Sequence, residues 1–264
     1  MTVQQVGGFG VNYRTLGEAA APPLVMVHGL YSDSGSMLAF AKRFAADYRV
    51  ILLDAIGHGL SAKPARFTLA DQGEAVAGLI EALGYERADL LGESMGSYIA
   101  AQAAVLHPDR IGHLVLLVTK GHGKTSSVGA YMARRGLDPT TLSQEQLMEA
   151  MSGALWAPDT PPERRAEILA ETAAEVGEDL TPEQMKAVDA SLADFDLRPG
   201  LPGVTCPTLV VSGAHDGLNP PALGQEVAEL IPGARFEVME RSGHMAKAEE
   251  PEALTQMVKS FLAA

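Results

Sequence analysis

Six short runs rich in Leu, Val and Ile alternate with segments of helical periodicity: Leu24 to Val27, Arg49 to Leu53, Ala88 to Leu91, Ile111 to Val118, Thr208 to Val211 and Arg235 to Met239. Near-continuous apolar strands separated by helices indicate a parallel sheet covered on both faces, because such strands must be buried on both sides. The pattern predicts an α/β fold built on a doubly wound, mostly parallel sheet. Helices are expected at 36–46, 68–83, 95–106, 221–230 and 251–262, with residues 8–16 as an antiparallel strand at the sheet edge.

The alternation stops between Thr119 and Gly203, where no strand pattern occurs and helix-start signals recur. Ser143 with Gln146, Thr160 with Glu163, and Thr181 with Glu183 and Gln184 resemble N-caps or capping boxes, and Pro161 and Pro182 fit first helical positions. The expected organisation is a core of residues 1–118 and 204–264 carrying an all-helical lid at 119–203. The Pro/Gly-rich stretch Arg198 to Gly203 returns the chain to the sheet.

A length of 264 residues suits one large domain, or one domain with an insertion, and is ample for a continuous core. The formal charge of −13 repels phosphate backbones and anionic lipid, so neither nucleic acid nor membrane is an expected partner. Eight carboxylates fall between Glu171 and Asp196 and read as solvated helical surface. The single cysteine, Cys206, excludes an internal disulfide and reads as a buried, inert thiol. The N-terminal residues lack a basic and then apolar leader pattern, and no apolar run approaches bilayer length, so the expected location is cytoplasmic. No HxxxH pair or cysteine cluster offers metal-binding spacing, and no cofactor is expected.

Gly92-Glu93-Ser94-Met95-Gly96 lies between the apolar run ending at Leu91 and the helical pattern from Tyr98 to Leu106. A serine on so tight a strand-to-helix turn needs small residues two positions away on each side, because bulk there would strike the adjoining backbone. A serine hydroxyl is a weak nucleophile at neutral pH and needs a base, itself held in the right tautomer by a third group. Two downstream loops supply candidates. Asp216 follows the run Thr208 to Val211, and His244 follows Arg235 to Met239, so both sit at strand C-termini.

With these residues in place the chain resembles the serine branch of the α/β-hydrolase fold family, whose members carry nucleophile, acid and histidine in this order. His28-Gly29-Leu30 looks like the family's HGx turn. Asp54 to Ser61 resembles its DxxGxGxS turn, and His244 with Glu249 and Pro251 is similar to its GHxxxxExP ending. The resemblance implies Ser94 as nucleophile, His244 as general base and Asp216 as the orienting acid, with the amides of Leu30 and Met95 as the oxyanion hole. His28 and His58 are expected to be structural. Serine at position 94 argues against the family's aspartate-nucleophile dehalogenases and epoxide hydrolases. Tyr31 after Leu30, in place of a glycine run, argues against the lipase type of oxyanion loop.

The substrate pocket is expected beneath the helical segment. Leu147, Met148, Met151 and Leu155 share one helical face with Trp156 at its end, Tyr131 and Met132 extend that surface, and Tyr31 adjoins the oxyanion turn. Lys120, His122 and Lys124 open the segment at the site's edge, placed either to meet a substrate carboxylate or to form solvated linker. The resulting expectation is a hydrolase for a small, largely apolar ester or lactone, acting through an acyl-enzyme. The same triad also serves carbon-carbon bond hydrolysis, perhydrolysis, or a ligand receptor that no longer turns over. Nothing in the sequence indicates an oligomeric state.

Overall fold

The structure, a computed structural model, describes residues 2–264. Eight strands form one sheet: β1 (Thr2–Val6), β2 (Phe9–Leu16), β3 (Pro23–Val27), β4 (Arg49–Leu53), β5 (Ala88–Glu93), β6 (Ile111–Leu117), β7 (Thr208–Gly213) and β8 (Arg235–Met239). Their spatial order is β1-β2-β4-β3-β5-β6-β7-β8. The β1–β2 and β2–β4 pairs are antiparallel and the other five are parallel.

Burial explains the composition of the strands. Val25 and Val27 point to one face of the sheet and Leu24 and Met26 to the other, and all four are fully buried in two separate apolar clusters. Helices α2 (Leu69–Ala82), α3 (Met95–Leu106) and α8 (Pro221–Leu230) cover the first face, while α1 (Leu38–Ala41) and α10 (Pro251–Leu262) cover the second. Thr68 starts α2 with a capping box, its side chain accepting from Asp71 N–H while the Asp71 carboxylate accepts from Thr68 N–H.

The segment predicted as a helix over 36–46 is shorter and tighter. Asp33 caps a 3₁₀ turn at Ser34–Met37, α1 follows, and residues 43 and 44 continue with i→i+3 hydrogen bonds. Phe40, Ala41 and Phe44 are buried against the sheet all the same. The edge expectation also needs correction. β2 is internal, because the largely exposed β1, which lacks a strong apolar pattern, pairs outside it.

Between β6 and β7 lie α4 (Ser127–Arg134), α5 (Gln144–Leu155), α6 (Pro162–Ala173) and α7 (Pro182–Ser191). Capping boxes start α5 at Ser143 and α7 at Thr181. Thr160 does not cap α6. Its hydroxyl donates to Glu249 at 2.6 Å, and Pro161 occupies the N-cap position instead. A short helix, α9 (Ala246–Glu249), precedes α10. Among the described residues, no helix is long and apolar enough to cross a membrane.

Candidate active site

The chain runs from β3 to β4 on one side of β3 and then crosses back to β5 on the other, so the sheet's order reverses between β3 and β5. Loops leaving the C-terminal ends of such strands diverge and leave a crevice. Ser94 stands at the end of β5, with φ 52° and ψ −118°, a strained conformation for a residue with a Cβ. Its N–H donates to Leu117 O at 3.0 Å, which ties the turn to β6. The flanking glycines are a steric requirement. A Cβ on Gly92 would lie 2.1 Å from Gly96 O, and one on Gly96 would lie 2.2 Å from Val27 O.

Ser94 Oγ is 2.9 Å from His244 Nε2, and His244 Nδ1 is 2.8 Å from Asp216 Oδ2. The other Asp216 oxygen accepts from the N–H groups of Leu218 and Asn219 at 2.8 and 2.9 Å, fixing the carboxylate's orientation. Asp216 and His244 are both buried. Burial alone pulls the His244 pKa down, but the charge of Asp216 and the hydrogen bond to it outweigh burial, and the net pKa lies above the ordinary histidine value. Glu93 adds to the rise and Lys247 opposes it.

Leu30 and Met95 line the same cavity as Ser94. Among the described residues, neither Leu30 N–H nor Met95 N–H has a hydrogen-bond partner. Met95 is the first residue of α3, where the helix leaves its N–H groups unused and its dipole favours an anion. Beneath the Leu30 turn, His28 Nε2 accepts from Ala55 N–H at 3.0 Å, so its Nδ1–H donates to Gly29 O at 2.8 Å. His58 Nε2 accepts from Tyr31 N–H at 3.3 Å, and its Nδ1–H donates to Ile56 O. Burial holds both rings neutral, lowering His58 to about 3. Asp54 anchors the neighbouring turn through Ser34 N–H, Leu60 N–H and the Asn12 amide. Burial would raise its pKa, but these bonds hold it below the ordinary carboxylate value.

A cavity of about 930 Å³ opens over Ser94 and His244 and is mostly apolar, large enough for a small organic molecule. Tyr31, Met151 and Leu155 line it, as expected from the sequence, together with Leu30 and Met95. Five other pocket candidates lie elsewhere, among them Leu147, which is 37% exposed. Tyr131 and Met132 are buried against Ala154, Leu137 and Leu142, so they cement α4 to α5. Met148 is 61% exposed on the outer side of α5. Trp156 is buried at the end of α5, where its backbone packs against Gly243. Helical spacing put these residues on one side of a helix but could not show which neighbour that side meets.

Lys120 and Lys124 line the cavity, whereas His122 forms a β-bridge with Asp196 outside it. Asp189, read from sequence as solvated surface, accepts a hydrogen bond from the Tyr31 hydroxyl at the cavity wall. Tyr98, Asn219 and the Glu93–Lys247 ion pair were not anticipated. Tyr98 lies one helical turn after Ser94 and lines the cavity, a spacing that the sequence does display. Asn219 donates to Tyr98 Oη at 2.7 Å and to Val118 O at 2.6 Å, joining α3 to the end of β6. Among the described residues, no group of three His, Cys, Asp or Glu side chains is arranged to hold a metal ion.

Comparison with known proteins agrees with this architecture. Residues 22–251 match the family described as alpha/beta hydrolase fold. The chain is 28% identical to the 2-hydroxymuconate semialdehyde hydrolase of Pseudomonas putida, over 97% of this chain and 92% of that one. It is also 28% identical to 3-oxoadipate enol-lactonase 2 of Acinetobacter baylyi, over 99% and 95% of the two chains. The crystal structure of the enol-lactonase from Burkholderia xenovorans matches with a TM-score of 0.83 and 28% identity, covering all of both chains. A family match across most of the chain, on a fold reproduced from end to end, places this protein in the alpha/beta hydrolase fold family.

Proposed function

We propose that this protein is a serine hydrolase that cleaves an ester or lactone bond of a small, largely apolar substrate through an acyl-enzyme. The observation that carries the reading is the hydrogen-bonded chain Ser94–His244–Asp216, set beneath a mostly apolar cavity. His244 takes the Ser94 proton as Oγ attacks the carbonyl, and Asp216 stabilises the imidazolium that forms. The Leu30 and Met95 amides hold the oxyanion. His244 then protonates the leaving alcohol and activates the water that releases the acid. Protein side chains and water supply every proton transfer.

In this reading residues 119–203 are a helical lid on a core of 1–118 and 204–264. Its support is that Met151, Leu155 and Leu192 bring an apolar underside to the cavity. A single buried cysteine suits a reducing compartment, and the cytoplasm is the proposed location.

Replacing Ser94 tests the assignment with little risk to the fold, because Gly92 and Gly96 remain. Ser94→Ala is expected to lower p-nitrophenyl ester turnover by about 10⁴-fold or more and to abolish fluorophosphonate labelling. Activity within tenfold of wild type would sink the nucleophile. Rapid labelling of the wild type without repeated turnover would favour a receptor.

The Pseudomonas putida relative is named a 2-hydroxymuconate semialdehyde hydrolase, which supports a second reading: the same three side chains hydrolyse a carbon-carbon bond in a vinylogous diketone. Turnover of such a diketone in preference to every ester and lactone would select it.

A further inference from the structure

Lys120 follows the C-terminal end of β6, next to β5 and the serine that succeeds it, and is only 7% exposed in the wall of the cavity. Its ammonium donates to Thr125 O at 3.0 Å and lies 5.7 Å from the Tyr98 ring centre and 6.0 Å from that of Phe195. These contacts are weak compensation for a desolvated charge, which ordinarily requires an anionic partner. Among the described residues no carboxylate lies within ion-pairing distance of it.

The other charges at the cavity are differently placed. Glu93 and Lys247 neutralise one another at 2.5 Å, Lys124 faces Asp196 at 3.9 Å from an exposed position, and Asp189 takes the Tyr31 hydroxyl. Asp194, in a left-handed turn, also borders the cavity. Lys120 is thus a buried cation held ready by two aromatic rings, one of which belongs to the helix that begins at the nucleophile. Burial lowers its pKa to about 8, so it keeps its proton at neutral pH.

We infer that Lys120 is the subsite for a carboxylate on the substrate, so the preferred ester or lactone is a monoanion whose acid group lies a short apolar spacer away from the bond that Ser94 attacks. This rests on the hydrolase reading above and narrows it. The apolar lining accommodates the spacer, and Lys120 orients it by a charge-assisted bond stronger in a dry pocket than in water.

The test compares kcat/KM for p-nitrophenyl hydrogen adipate, which has its carboxylate on the acyl side, with that for p-nitrophenyl hexanoate of equal chain length. A second pair, 3-carboxyphenyl hexanoate and phenyl hexanoate, places the charge on the leaving group. In the wild type, one of the two anionic esters is expected to exceed its neutral counterpart by tenfold or more. In Lys120→Met that ratio should fall by at least tenfold, and Lys120→Arg should retain part of it. Equal ratios in wild type and Lys120→Met for both pairs would overturn the inference while leaving the hydrolase intact.

Calorimetric binding of adipate reads the subsite without turnover. A dissociation constant weakened tenfold or more in Lys120→Met supports the subsite even if no ester is cleaved, in which case the hydrolase reading alone fails. Adipate binding equal in the two proteins, or absent from both, overturns it.

Discussion

At the scale of single residues, the site depends on opposed pressures on His244. Burial disfavours its cation, yet Asp216 more than compensates, so the imidazole titrates above its ordinary value. With the neutral ring as the proposed base, kcat/KM is expected to fall as pH drops through that raised pKa, giving an acidic limb centred above pH 6.5. Removing the charge in Asp216→Asn leaves burial dominant. The limb should then move to lower pH, while kcat falls on the order of 10³- to 10⁴-fold because the ring loses its tautomer. A pH–rate profile on each protein measures both effects, and an unmoved limb would assign the titration to another group. Ser94 and its glycines were legible in the sequence because steric demand leaves few alternatives at such a turn. Lys120 was less so, since sequence shows a charge but not its burial or the absence of a partner.

Among the elements, Glu249 joins the helical segment to the histidine loop. One of its oxygens accepts from Ala157 N–H and the Thr160 hydroxyl at 2.8 and 2.6 Å, and the other accepts from Gly243 N–H at 2.7 Å. Hydrogen bonds to a charged acceptor contribute about 1.5–3 kcal/mol each, although their loss is rarely additive. Glu249→Ala is therefore expected to cost about 2–4 kcal/mol of stability in urea melts and to lower kcat by misplacing His244. A melt unchanged within 0.5 kcal/mol, as for a typical surface substitution, would show that this connection is dispensable. The ends of α3, α8 and α10 agree with the sequence reading, since strand exits and prolines mark them. The orientation of α5 was not legible. Amphipathic spacing defines a stripe, but α5 meets α4, the cavity, the loops of Asp216 and His244, and solvent, so its apolar residues are divided among four environments.

For the molecule as a whole, Cys206 sits where the chain rejoins the sheet, buried to 97%, and burial raises its thiol pKa. Its thiolate is scarce and its access closed, so disulfide reagents should reach it only through unfolding. Labelling in native buffer is expected to be slower than in guanidinium by about 10³-fold or more, given ordinary domain stabilities. Fast native labelling would instead reveal local opening at the start of β7. The last turn of α5 has a wider consequence. Its Ala154 and Leu155 carbonyls accept the N–H groups of Gly217 and His244 at 3.0 and 2.8 Å, so both loops cap the helix that covers the cavity. A helix carries partial negative charge at this end. The backbone of His244 and the loop that carries Asp216 are thus both anchored at the negative pole of α5. A shift of that turn is therefore expected to displace the base and the loop of its orienting acid together, because the same two hydrogen bonds tie both to α5.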